Sequence, residues 1–205
     1  TSATAKIHNL ILKKQEAGEK IINLSVGEPD FGTPQNIKNA AYKAIKSNNT
    51  KYTSTGGTKR LKLAIVNKFL NENSLSYEMN EIIISSGGKQ VIFNALLATL
   101  NGNDEVIIPS PHWVSYPDMV TLCGGIPKII QTKMENNFKL TPDQLKEAIN
   151  LRTKWLILNS PCNPSGSVYT KKEIVDLCQI LERFPHVQVL SDDIYEHVIY
   201  QDLLF

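Results

Sequence analysis

A chain of 205 residues that is 41% hydrophobic and 20% charged has the apolar content to bury a core of one or two domains, which excludes a disordered or fibrous protein. Its 22 basic and 20 acidic residues leave a net charge of +2, and no basic run is long enough to footprint nucleic acid or a membrane surface. A small-molecule partner is expected, with no nucleic acid and no membrane.

Residues 3–17 carry a polar helical pattern without the apolar core of a signal peptide, and no later run is long enough to span a bilayer. A short strand is expected at residues 21–24, followed by an irregular Gly-Glu-Pro-Asp-Phe loop. Residues 1–33 read as the N-terminal helix and a segment of a separate small domain, and residues 34–205 as the main domain. Thr33-Pro34 supplies an N-cap and a first-turn proline for the next helix. Of the apolar runs at residues 82–84, 106–108, 128–130, 155–158 and 187–190, most are nearly continuous, as strands covered on both faces should be. Between them Ile92, Ala95, Leu96 and Thr99 have helical spacing, and Thr141…Gln144 and Thr170…Glu173 have the spacing of capping boxes. This alternation predicts an α/β fold, a mostly parallel sheet flanked by helices. Residues 200–205 carry no stop signal, so the sheet is expected to be incomplete. Cys123, Cys162 and Cys178 are odd in number and match no zinc spacing; they read as reduced thiols of a cytoplasmic protein, with no metal site.

Four loops between these elements hold residue types suited to ligand chemistry. Ser85-Ser86-Gly87-Gly88-Lys89-Gln90 joins a predicted strand to a predicted helix, where small residues let backbone N–H groups approach an anion. A tight strand-to-helix turn explains the same residues, and the spacing is neither a Walker A motif nor a dinucleotide fingerprint. After the next strand, Trp113 can stack on a flat cofactor or simply fill space, and His112 reads as a surface or core histidine as readily as a catalyst. Asn159-Ser160-Pro161-Cys162-Asn163-Pro164-Ser165-Gly166 forms an irregular loop at the edge where parallel sheets bind ligands. A plain Pro/Gly turn has that composition too, but has no need of the Asn163 amide, which a ligand oxygen can use. In Ser191-Asp192-Asp193-Ile194-Tyr195-Glu196, Asp192 can pair with a protonated ring nitrogen and Tyr195 can donate to a ring oxygen. A helix-capping acidic turn with a buried tyrosine is the alternative.

Taken in order, Gly27-Glu28-Pro29-Asp30-Phe31, Lys51-Tyr52-Thr53, Ser86-Gly87-Gly88-Lys89-Gln90, His112-Trp113-Val114-Ser115-Tyr116, Asn163-Pro164-Ser165-Gly166 and Ser191-Asp192-Asp193-Ile194-Tyr195-Glu196 resemble class I aminotransferases of pyridoxal-phosphate (PLP) fold type I, most like the bacterial aspartate enzymes. The resemblance covers nearly the whole chain and implies an incomplete large domain of that fold. It implies that Asp192 keeps the pyridine nitrogen protonated, that Tyr195 and Asn163 hydrogen-bond the ring's phenolic oxygen, and that Trp113 stacks on the ring. Gly87, Gly88 and Lys89 match the phosphate turn, and Tyr52 matches a tyrosine that reaches the phosphate of the neighbouring subunit, which implies a homodimer. Gly27 matches the position that meets the substrate α-carboxylate, assisted by Asn163. Ser2, Thr4 and Lys89 look like a trio that binds a distal carboxylate, although an N-cap also explains Ser2 and Thr4.

The reaction implied is ping-pong transfer of the amino group of L-aspartate to 2-oxoglutarate. The Schiff-base lysine of the family has no counterpart before Phe205, so the chain by itself is expected to be inactive and to hold no catalytic residue. An aminotransferase for prephenate, an aromatic amino acid or alanine, and a truncated non-catalytic binding module, are the other readings.

Overall fold

The computed structural model describes residues 3–23, 27–29 and 31–200, and the chain forms two compact units, Thr1–Thr53 and Ser54–Phe205. The first unit runs past the division expected after residue 33.

In the first unit, α1 spans Ala3–Glu16 and α2 spans Gln35–Lys46. Lys13 and Lys14 lie in the last turn of α1, where cations oppose the negative end of the helix dipole, and Lys14 pairs with Glu19 at 2.8 Å. The strand expected at residues 21–24 is not formed: residues 21–23 have no regular secondary structure, and Leu24 lies outside the described residues. Apolar composition makes a strand only where another strand lies alongside, and the described residues of this unit contain none. The expected cap of α2 also shifts. Pro34 occupies the N-cap position with an extended ψ of 145°, and no side chain caps the helix.

In the second unit, α3 (Lys59–Asn73) is capped by Thr58, whose hydroxyl accepts from the Leu61 N–H at 3.3 Å. Then follow α4 (Gly88–Thr99), β1 (Glu105–Ser110), α5 (Ser115–Leu122), β2 (Ile126–Gln131), α6 (Pro142–Ala148), β3 (Thr153–Asn159), α7 (Lys171–Leu181) and β4 (Gln188–Asp192). Both predicted capping boxes are present, Thr141 with Gln144 at the start of α6 and Thr170 with Glu173 at the start of α7. Each satisfies two N–H groups that a helix start leaves without partners.

The four strands are all parallel, in the order β2-β1-β3-β4. Successive side chains of a strand face opposite sides, and the core divides accordingly. Val106, Ile108 and Ile157 join Ile92 and Leu96 of α4 and Met119 and Val120 of α5. Ile107, Leu156 and Leu158 join Leu145 and Ala148 of α6 and Leu177 of α7. The uninterrupted apolar runs therefore mark a sheet covered by helices on both faces, as predicted. No described helix is long and apolar enough to cross a membrane.

The run at residues 82–84 is the exception among the predicted strands of this unit. It is extended but unladdered: the Ile84 N–H donates to the Gly56 carbonyl at 3.1 Å, and Ile83 is 71% exposed. Gly57 makes that contact possible, because a Cβ added there would stand 2.3 Å from Ile84 Cγ1 and its φ is +103°.

At the amino edge of the sheet, Glu105 is 5% exposed. Its carboxylate accepts from Asn150 Nδ2 at 2.8 Å and Lys128 Nζ at 3.3 Å, and from Arg152. Burial pushes this carboxyl up, but the hydrogen bonds from Asn150 and Lys128 and the charges of Lys128 and Arg152 outweigh it and hold the group below the ordinary glutamate value.

Candidate active site

Parallel strands put their carboxyl ends on one edge. From β1 the chain crosses to β2 on one side and later to β3 on the other, and α/β sheets bind ligands at such a reversal. The loops after β1, β3 and β4 all leave from this edge, carrying Trp113, Asn163 and the Asp192–Tyr195 turn.

Contacts join these loops to the start of α4. The Lys89 ammonium stands 5.0 Å from the centre of the Trp113 ring. Tyr116, in the first turn of α5, meets Trp113 edge to face, with centroids 5.4 Å apart and planes at 85°. Its hydroxyl donates to Asp192 Oδ2 at 2.6 Å. Two aromatic rings thus connect the turn at Gly87, Gly88 and Lys89 to the carboxylate at the end of β4.

Asn159 makes the second link. It is the last residue of β3 and lies opposite Asp192 in the ladder. Its Nδ2 donates to the Asp192 carbonyl at 2.8 Å, and its Oδ1 accepts the Asn163 N–H at 2.7 Å. One amide therefore holds two neighbouring loops in register. Farther out, Glu196 accepts from Lys68 Nζ at 2.6 and 2.7 Å and from Asn73 Nδ2 at 3.2 Å, which ties the turn after β4 to α3.

The Asp192 carboxylate is held by neutral donors only. Besides the phenol on Oδ2, Oδ1 accepts the Ile194 N–H at 3.3 Å, and among the described residues no Lys, Arg or His pairs with it. Tyr116 is 2% exposed; burial first, then the hydrogen bond to Asp192 and its charge, push the phenol well above the ordinary tyrosine value. It remains a donor throughout the accessible pH range. The buried tyrosine of this cluster is thus Tyr116, while Tyr195 is 36% exposed. Neither the Tyr195 hydroxyl nor the Asn163 side-chain amide has a hydrogen bond among the described residues.

The start of α4 is open. Gly87 has φ +89°, and a Cβ built on Gly87 or Gly88 would meet nothing within 4 Å. Chain packing does not demand a glycine at 88, so the space lies beside helix N–H groups that have no intrahelical acceptor. The Ser86 N–H is already bonded to Gln90 Oε1 at 2.6 Å. An anion cradle, an aromatic face and a carboxylate lacking a cation form a donor set that fits a flat cationic ring with an anionic tail. A shallow cleft has Pro111, His112, Tyr116, Asn159 and Cys162 on its walls, but neither Trp113 nor Asp192; it is a neighbouring hollow.

Gly27 and Tyr52 belong to the first unit, each exposed on it. Ser2 and the Thr4 side chain lie outside the described residues. His112 turns Nδ1 to the Trp113 carbonyl at 3.0 Å. Sequence reasoning did not single out Tyr116 or Asn159 as site residues. Tyr116 is three residues after Trp113 at a helix start, which sets the two side by side, and Asn159 closes a strand at the ligand edge.

A family model described as aminotransferase class I and II matches residues 19–205. A protein of Cereibacter sphaeroides named aspartate/prephenate aminotransferase is 52% identical over 204 residues, which is 100% of this chain and 51% of that one. The aspartate aminotransferase of Rhizobium meliloti has a similar structure, with TM-score 0.96 at 45% identity, covering 100% of this chain and 51% of that one. The Thermus thermophilus aspartate aminotransferase solved with maleate gives 0.95 at 40% identity, with coverage of 100% and 53%. The chain spans about half the length of the relatives it matches.

Proposed function

Because this chain belongs to the class I and II aminotransferases, we propose that the full-length protein carrying it is a PLP-dependent aspartate aminotransferase. L-Aspartate donates the amino group, 2-oxoglutarate accepts it, and the two half-reactions alternate. The observation that carries this reading is the linked set Lys89, Trp113, Tyr116 and Asp192, with its cation-free carboxylate at one end and its open helix start at the other.

When bound, PLP supplies an electron sink that lets a proton leave the substrate Cα. The chain's residues bind and orient. Asp192 holds a proton at the ring nitrogen, and the face of Trp113, shared with the Lys89 ammonium, seats the ring. The Asn163 amide and the Tyr195 phenol hold the phenolic oxygen, and Gly87, Gly88 and Lys89 hold the phosphate. Gly27, with Asn163, meets the α-carboxylate. Tyr52, fully exposed on the first unit, reaches a second subunit's phosphate, so the enzyme works as a homodimer. Its place is the cytoplasm. Residues 1–33 form the small-domain segment and 34–205 the cofactor domain.

The Lys89 ammonium has an aromatic ring as its neighbour and no acidic partner among the described residues, which leaves its charge for a substrate's distal carboxylate, with Ser2 and Thr4 assisting. Maleate, a dicarboxylate, accompanies the Thermus thermophilus structure. The Cereibacter sphaeroides relative is named for prephenate as well, another dicarboxylate, which supports prephenate as a second amino acceptor. Adding PLP to the full-length apoprotein should produce a visible absorbance band that L-aspartate bleaches. Lack of a band rejects the cofactor; a band bleached by alanine or phenylalanine but not by aspartate rejects the substrate.

A further inference from the structure

We propose that Tyr116 is a positioning residue: through its hydroxyl it fixes the orientation of Asp192, and so keeps that carboxylate aimed at the cofactor's ring nitrogen and the proton there. The inference rests on the PLP reading above and assigns a role to a side chain that the reading leaves without one.

The geometry is asymmetric. Of the two Asp192 oxygens, Oδ1 has a long bond of 3.3 Å from the Ile194 N–H, whereas Oδ2 has a short bond of 2.6 Å from the Tyr116 hydroxyl. A short O–H bond to a carboxylate is among the stronger neutral-donor contacts and fixes the carboxylate's orientation. Water cannot easily replace it, because Tyr116 is 2% exposed. The same ring stands edge-on to Trp113, so one buried side chain touches both the aromatic face and the carboxylate assigned to the ring.

Tyr169 shows what a tyrosine with only a packing role looks like. It is 9% exposed, and its oxygen accepts the Leu140 backbone N–H at 2.8 Å. Tyr116 instead donates to an ionisable side chain at the ligand edge. Burial explains why its hydroxyl needs a partner; it does not explain why the partner is Asp192, a carboxylate that no Lys, Arg or His pairs with among the described residues.

The test uses the full-length protein loaded with PLP that carries ¹⁵N at the ring nitrogen. Tyr116→Phe keeps the ring edge against Trp113 and removes the donor. The ring-nitrogen NMR signal should move from the pyridinium position toward the neutral one. For aspartate, kcat should fall about 10- to 100-fold, as for other residues that orient a first partner, while KM changes less than about three-fold. Tyr169→Phe removes a buried hydroxyl bond of similar length and should leave the nitrogen signal in place. If Tyr116→Phe does not fold, 3-fluorotyrosine at position 116 keeps the shape, makes the phenol a stronger donor and should shift the signal the opposite way. An unmoved nitrogen signal and unchanged kcat in a PLP-loaded variant overturn this inference alone. A parent protein that binds no PLP overturns the proposed function and this inference together.

Discussion

Glu105 opens β1 and Asp192 closes β4, two carboxylates of one sheet at its opposite edges, and their surroundings differ in kind. Glu105 is buried among Lys128, Arg152 and Asn150, so its charge is answered inside the chain. Asp192 is half-buried and receives a phenol and a peptide N–H but, among the described residues, no cation. A buried charge with a complete set of partners is part of the scaffold. A charge shielded from water yet answered only by neutral donors keeps its attraction for a cation from outside, and such groups gather at functional sites.

That contrast predicts opposite effects for the two amide variants. In the full-length protein Asp192→Asn should lower kcat for aspartate by about 10²- to 10³-fold, the scale of losing one preorganised electrostatic partner, while the melting temperature moves by less than about 4 °C. A large loss of Tm with little loss of kcat would erase the distinction between the edges. Glu105→Gln should do the reverse. It should cost about 2–3 kcal/mol in urea unfolding, less than a fully buried pair, because Arg152 is 62% exposed and screened by water. Activity per folded molecule should stay within about two-fold.

The same pair can be separated by pH. Glu105 is depressed below 4.5 in the folded state, so its contribution is complete above 4.5 and is lost as pH falls through the folded value. Urea midpoints of the parent and of Glu105→Gln should therefore converge in acid; parallel curves would show that the carboxylate is not held as described. A smaller effect is expected from Lys89→Ala, which should raise KM for aspartate about ten-fold, or ~1.4 kcal/mol, and raise KM for alanine by less. The smallest belongs to Lys68→Met, which leaves Glu196 only the Asn73 amide as its hydrogen-bond donor from α3 and should cost about 1 kcal/mol in the same unfolding assay. A loss as large as that of Glu105→Gln would make the turn after β4 as structural as the amino edge.

Legibility differed between fold and site for a physical reason. The runs at residues 106–108 and 155–158 were readable as strands covered on both faces because every residue in them is apolar, those at 128–130 and 187–190 as strands because most of their residues are, and the starts of α6 and α7 were readable because a capping box lies within four residues. Residues 82–84 have the same composition, yet no strand lies beside them among the described residues. At the site, Asp192, Trp113, Asn163 and Gly87 stand out in sequence by residue type and motif order. Tyr116 and Asn159 do not, since a tyrosine in a helix and an asparagine at a strand end have many ordinary uses.

Sequence by itself determined the alternating elements, the helix caps and the residue types at each strand end, because hydrophobic period and capping act over a few residues. Only the tertiary structure decided which runs pair into the sheet, that Glu105 meets its cations, and that the Tyr116 hydroxyl reaches Asp192 across 76 residues of chain. Those contacts depend on strand order and register, which no local pattern encodes.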